Sequence, residues 1–338
     1  MTITASPQLA QVAGPVLAPG WGWNAVVFNP AHPGWVAIAA EGGLRGSPKS
    51  QSAIEVSRDG GQQWTSTAVP AVSGCLVDPS PQQIAWDGAD LYAAGTAGVL
   101  RLLAGGSWST LAGPLPGSCR GGPDVAGVRD LSVSASGRWA MAMTGPLIAG
   151  GGHWVETGGP GATPVVTTGL DAASVTATAS RYYAWGAFLS AHQSLGASAP
   201  ILASADGSTW STFTSHQGPM QVSGGVLYQV RGMGTPQQTL WVSRNGGGSW
   251  TGRGPLPGAA TGLSASDGVL LASPTVYPRA TKRPLGYLST DRGRTWIPVA
   301  LPASPGSILA FAASPGALWI AWGQSGGSET LWEAPLPG

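Results

Sequence analysis

A serine, an aspartate or asparagine two places on, glycine and then a tryptophan recur along this chain. Ser57-Arg58-Asp59-Gly60-Gly61-Gln62-Gln63-Trp64 is one copy, and Ser289-Thr290-Asp291-Arg292-Gly293-Arg294-Thr295-Trp296 is another. Ser243-Arg244-Asn245-Gly246-Gly247-Gly248-Ser249-Trp250 carries Asn in place of Asp, and Ser204-Ala205-Asp206-Gly207-Ser208-Thr209-Trp210 is one residue shorter. Two degenerate copies, Gly105-Gly106-Ser107-Trp108 and Gly151-Gly152-His153-Trp154, lie between Trp64 and Ser204. Successive tryptophans then stand about 44, 46, 56, 40 and 46 residues apart. A period of roughly 40–50 residues is that of propeller blades with four strands each.

Each unit reads alike. A β-run leads to a turn such as Phe28-Asn29-Pro30, and a second apolar run follows, as in Trp35-Val36-Ala37-Ile38-Ala39. A loop of variable length comes next, then a third run ending in the box, then a short fourth run. No segment holds a helical period of apolar residues. The expectation is an all-β, seven-bladed propeller of four-stranded antiparallel blades, forming a single domain over residues 1–338. The blades fall near 20–70, 71–114, 125–160, 170–216, 219–257, 260–302 and 305–338. The last unit stops before a fourth strand, and residues 7–16 have no other place. That N-terminal run is therefore expected to complete blade seven, which removes an exposed sheet edge. Six blades with an extra hairpin is the competing architecture.

Glycine (53) and proline (29) make up about a quarter of the chain, near the level that signals disorder. The 16 tryptophans and 43% hydrophobic residues answer that, because they can build a core. A net charge of +1 gives no whole-molecule attraction to nucleic acid. No stretch is long and apolar enough to span a bilayer. The opening MTITASPQLAQVAGPVLAPG lacks a positive charge and a continuous apolar run, so it does not read as a signal peptide.

The boxes resemble the Asp-box, or BNR, repeat of the sialidase superfamily of β-propellers, from about residue 57 to residue 296. The resemblance implies the propeller fold. It implies function only weakly, because the repeat occurs in sialidases, xyloglucan-cleaving glycosidases, sorting receptors and a photosystem assembly factor. Sialidases use an arginine cluster, a tyrosine nucleophile with its glutamate, and an aspartate acid/base. The family's early Arg-Ile-Pro motif is absent, and none of the five glutamates has an evident tyrosine partner. Asp59, Asp206, Asn245 and Asp291 are instead expected to accept bonds from their own turn amides. Trp64, Trp210, Trp250 and Trp296 are expected to cover apolar surface between blades.

Propeller topology puts the box turns on one face and the variable loops on the other, where function usually sits. The long loops run from Glu41 to Ser52, Gly113 to Val128, Ser190 to Ala199 and Pro274 to Leu285. They hold Arg45, Lys49, Arg120, Arg279, Lys282 and Arg283 against Glu41 and Asp124, with His192 and Tyr277 beside them. This basic excess points to a polar or anionic ligand, a glycan or a protein surface. Asp124, Asp130 and Asp171 stand near blade entries and are the candidate catalytic carboxylates for the alternative function, glycoside hydrolysis, which needs two of them at a set separation. Cys75 and Cys119 enter at the loop face; the pair permits one disulfide without requiring it. The four histidines lack metal-ligand spacing, so no metal and no cofactor is expected. The combined expectation is an extracytoplasmic binding or scaffold module, monomeric, with any leader outside this sequence. A cytoplasmic setting stays open.

Overall fold

The computed structural model describes residues 7–32, 34–42, 51–71, 81–95, 98–113, 127–144, 153–170, 172–185, 201–214, 220–232, 237–257, 262–273, 285–302, 306–314, 316–324 and 329–336. They form seven antiparallel sheets of four strands each. Blade one contains β2 (Trp21–Phe28), β3 (Val36–Gly42), β4 (Gln51–Ser57) and β5 (Thr65–Ala68). Blade two contains β6 (Pro81–Asp87), β7 (Asp90–Gly95), β8 (Gly98–Leu102) and β9 (Trp108–Ala112). Blade three contains β10 (Gly127–Val133), β11 (Trp139–Thr144), β12 (His153–Gly158) and β13 (Val165–Thr168). Blade four contains β14 (Ser174–Ala177), β15 (Tyr182–Trp185), β16 (Ile201–Ser204) and β17 (Ser211–Thr214). Blade five contains β18 (Met220–Ser223), β19 (Val226–Arg231), β20 (Thr239–Ser243) and β21 (Thr251–Pro255). Blade six contains β22 (Gly262–Ser266), β23 (Val269–Ser273), β24 (Leu285–Ser289) and β25 (Ile297–Ala300). Blade seven contains β26 (Gly306–Ser314), β27 (Ala317–Gln324), β28 (Glu329–Pro335) and, from the other end of the chain, β1 (Ala10–Val12).

The expected closure is what the pairing shows. β1 lies antiparallel to β28, with Ala10 opposite Glu333, Gln11 opposite Trp332 and Val12 opposite Leu331. Seven blades replace the six-bladed alternative, because β26, β27 and β28 form a full sheet once β1 joins them.

Burial explains the composition of each strand. A second strand is covered on both faces by neighbouring blades, so it reads as a continuous apolar run; every residue of β3 (VAIAAEG) is buried. A fourth strand lies at the rim, and β5 (TSTA) is polar and mostly exposed. Each seam between blades holds its own apolar core. Ile54 and Ile84 meet between blades one and two, Tyr92 and Met141 between two and three, and Val155 and Tyr182 between three and four. Ile201 and Leu227 fill the next seam, followed by Tyr228 with Leu270, then Leu288 with Ile320. Phe28, Ile38 and Trp319 form the last core, between blades seven and one. An unbroken series of seam cores is what makes the ring a rigid frame for its turns and loops.

Candidate functional site

The box turns are built alike. In blade one, Asp59 Oδ1 accepts from the Gln62 and Gln63 amides at 3.1 and 2.9 Å, and from Ser57 Oγ at 2.9 Å. Ser57 Oγ in turn accepts from the Gly61 amide at 2.8 Å. Asp206 repeats this with Ser208, Thr209 and Ser204, and Asp291 with Arg294, Thr295 and Ser289. The bond from the Gln63 amide, foremost, holds the Asp59 carboxyl below its ordinary range, and the Thr209 amide does the same for Asp206. At Asp291 burial pushes upward, but the bonds from Thr295, Ser289 and Arg294 outweigh it. These carboxylates stay ionised and face inward to their own backbone. The serines Ser57, Ser204, Ser243 and Ser289 are buried links between strand and turn. Sequence reasoning gave them no role, although each lies two residues before its aspartate or asparagine.

The turn glycines are where one blade touches the previous one. A Cβ on Gly207 would lie 1.9 Å from Thr157 Oγ1, one on Gly247 1.8 Å from Phe213, and one on Gly293 2.1 Å from Leu240. The tryptophans also reach back. Trp108 Nε1 donates to the Ala68 carbonyl at 3.0 Å, and Trp210 Nε1 to Thr167 Oγ1 at 3.2 Å. Trp64 and Trp296 pack into the seams with blades seven and five, and Trp250 stands edge-on to Phe213 of blade four.

The opposite face is where the long loops leave. Arg45, Lys49, Arg120, His192, Tyr277, Arg279, Lys282 and Arg283 lie outside the described residues, as do Asp124, Asp171, Cys75 and Cys119. Asp130 is described, on β10. Its Oδ2 accepts from Ser174 Oγ at 2.7 Å and from the Val175 amide at 2.9 Å, and its Oδ1 from the Leu131 amide at 3.0 Å. The carboxyl therefore ties blade three to blade four. Burial pushes its pKa up, against the pull of those three donors.

Four innermost strands carry a bulge at comparable depth near this face. The pairing registers skip Asn24 in β2, Gln82 in β6, Arg129 in β10 and Leu309 in β26. Asn24 Nδ2 donates to Glu41 Oε2 at 2.8 Å, and Gln82 Oε1 accepts from the Val128 amide of the next blade at 2.6 Å. Asn24 and Leu309 are exposed. None of these four residues carried a signal in the sequence.

A cavity of about 640 Å³ lies where the chain crosses from β1 to β2, between residues 13–18 and the face of blade one. Trp21, Trp64, Glu55, Gln62 and Ser66 line it. Trp21 lies flat over Gly42, whose missing Cβ leaves room for the indole. Glu55 is buried and accepts from Ser66 Oγ at 2.7 Å. Two indoles beside a carboxylate and a carboxamide can hold a small polar group.

Seven closed blades define a β-propeller domain. No family model and no curated protein matches the chain. Among solved structures it is similar to the β-propeller domain of the Trilobed protease from Pyrococcus furiosus, with a TM-score of 0.57 and 9% identity, covering 93% of this chain and 95% of that one. It is also similar to the Pyrococcus horikoshii acylaminoacyl peptidase, with a TM-score of 0.60 and 10% identity, over 92% of this chain and 50% of that one. The chain thus spans about half the length of that peptidase. At such identities the likeness is one of fold. Among the described residues no helix is long and apolar enough to cross a membrane.

Proposed function

We propose that the chain is a binding or scaffold module that offers the face opposite its box turns to a polar or anionic ligand, a glycan or a protein surface, in an extracytoplasmic setting. The observation that carries this reading is the set of four bulges at Asn24, Gln82, Arg129 and Leu309. An extra residue re-aims a side chain off the ladder, and bulges are over-represented at sheet edges, as in these four strands, and next to active sites. All four lie toward the face whose loops hold the sequence's basic excess. Asp130 is engaged by three donors, which favours binding over glycoside hydrolysis for that residue.

The test is binding of the purified protein to a broad glycan array at low and high salt, with product analysis on every glycan bound. Salt-sensitive binding to acidic glycans without cleavage is the expected result. Cleavage products would replace this reading with hydrolysis. No binding at either salt would remove glycans and leave a protein surface as the ligand.

A further inference from the structure

Four arginines gather at the box-turn end of the seam between blades five and six. Arg244 belongs to the box turn of blade five and Arg253 to β21, while Arg292 and Arg294 belong to the box turn of blade six. That second turn packs directly on blade five, where Gly293 abuts Leu240. Arg244 and Arg294 are exposed, and Arg253 and Arg292 are half-buried. The Tyr228 hydroxyl is buried behind them, within reach of the Arg292, Arg244 and Arg253 charges. We propose that this cluster is a binding site for a tetrahedral oxyanion, phosphate or sulfate.

Three observations converge on it. The first is the lack of a countercharge. Among the described residues none of the four arginines is in a salt bridge, and Arg253 Nε is buried without a hydrogen-bond partner. Arg253 is pulled down first by burial and then by the charges of Arg294, Arg244 and Arg292, with Asp291 alone opposing. Asp291 has both oxygens engaged by its own turn, and the exposed Asp267 on the neighbouring hairpin makes no ion pair. Guanidinium groups left together in this way are suited to a multiply charged oxyanion.

The second observation is backbone conformation. Arg292 has φ 61°, in the slot that glycine fills in two other boxes, Gly60 at 75° and Gly246 at 62°. A residue with a Cβ is strained there, and such strain points to a role for the side chain. The third is the exchange of acid for amide. Asn245 stands where the other three boxes have aspartate. Its Oδ1 still accepts from Ser243 Oγ and the Ser249 amide, at 3.0 and 2.9 Å. The turn keeps its acceptor, and the cluster is spared a negative charge.

The experiment is thermal unfolding of the full chain in sodium phosphate and sodium sulfate, against sodium chloride at matched ionic strength and sodium acetate. Phosphate and sulfate should raise Tm saturably, and chloride and acetate should not. Arg292→Gly places glycine in a glycine-favouring slot. Without anion it should unfold at the same Tm or higher, yet bind phosphate at least tenfold more weakly. Asn245→Asp keeps the turn's acceptor and adds a charge, and should weaken phosphate several-fold. An equal phosphate response in wild type and both variants would overturn the site, as would a wild-type response no larger than that to chloride. Because the cluster lies on the box face, its failure leaves the opposite face untouched, and the reverse also holds.

Discussion

At single residues the structure separates two kinds of acid. Box-turn carboxylates accept several bonds and sit below their ordinary pKa. Glu156 is the opposite. It is 4% exposed, stands opposite Met141 and Val166 on β12, and its Oε2 has no partner among the described residues. Burial pushes its carboxyl up to about 7. The folded protein therefore holds this proton while the unfolded chain releases it near 4.5. The contribution to stability is complete below the unfolded value and is lost as pH rises through about 7. Glu156→Gln should shrink the stability difference between pH 5 and pH 8 by roughly 2–3 kcal/mol, measured by chemical denaturation at both. A residual slope should persist, because burial also raises Asp87, Asp130, Glu329 and Glu333. An unchanged difference would mean that Glu156 is not protonated in the fold. The role of Asp59 and its counterparts was legible from spacing, since an acceptor one or two places before a turn glycine has turn amides within reach. Glu156 was not, because strand alternation tells which face a side chain takes and not what lies opposite.

Elements meet through glycine. Gly293 has φ 82°, and a Cβ there would lie 2.1 Å from Leu240 of the previous blade. Gly246 has φ 62° and nothing within 4 Å. Gly246→Ala should therefore cost only backbone strain, about 1–2 kcal/mol. Gly293→Ala adds a packing clash and should cost roughly 2–4 kcal/mol. Denaturant midpoints of the two variants check this, and equal losses would show that the turn does not press on blade five. The sequence makes such turns visible, since a glycine one or two places after aspartate or asparagine marks them. The bulges at Asn24, Gln82, Arg129 and Leu309 were illegible because a bulge is a mismatch between two strands, and one strand alone does not reveal it.

For the molecule as a whole, the repeat period gave the number of blades, and the truncated last unit gave the missing strand. The loop-face residues Arg45, Lys49, Arg120, His192, Tyr277, Arg279, Lys282 and Arg283 remain sequence expectations, whereas the arginine cluster emerges only when blade six is laid on blade five. Its members are up to 50 residues apart, and they come from two separate boxes and, for Arg253, from the strand after the first of them. The ring closes where β1 pairs with β28, and the seam between blades seven and one holds Phe28, Ile38 and Trp319. Both proposed binding surfaces depend on that closed, rigid frame. Hydrogen exchange of the full chain tests the closure most directly. If the ring is closed as described, the β1 amides that face β28 will exchange far more slowly than those of an unpaired segment, and the β28 amides that face β1 will be protected with them. Free exchange across residues 10–12, with β28 losing protection beside them, would contradict it.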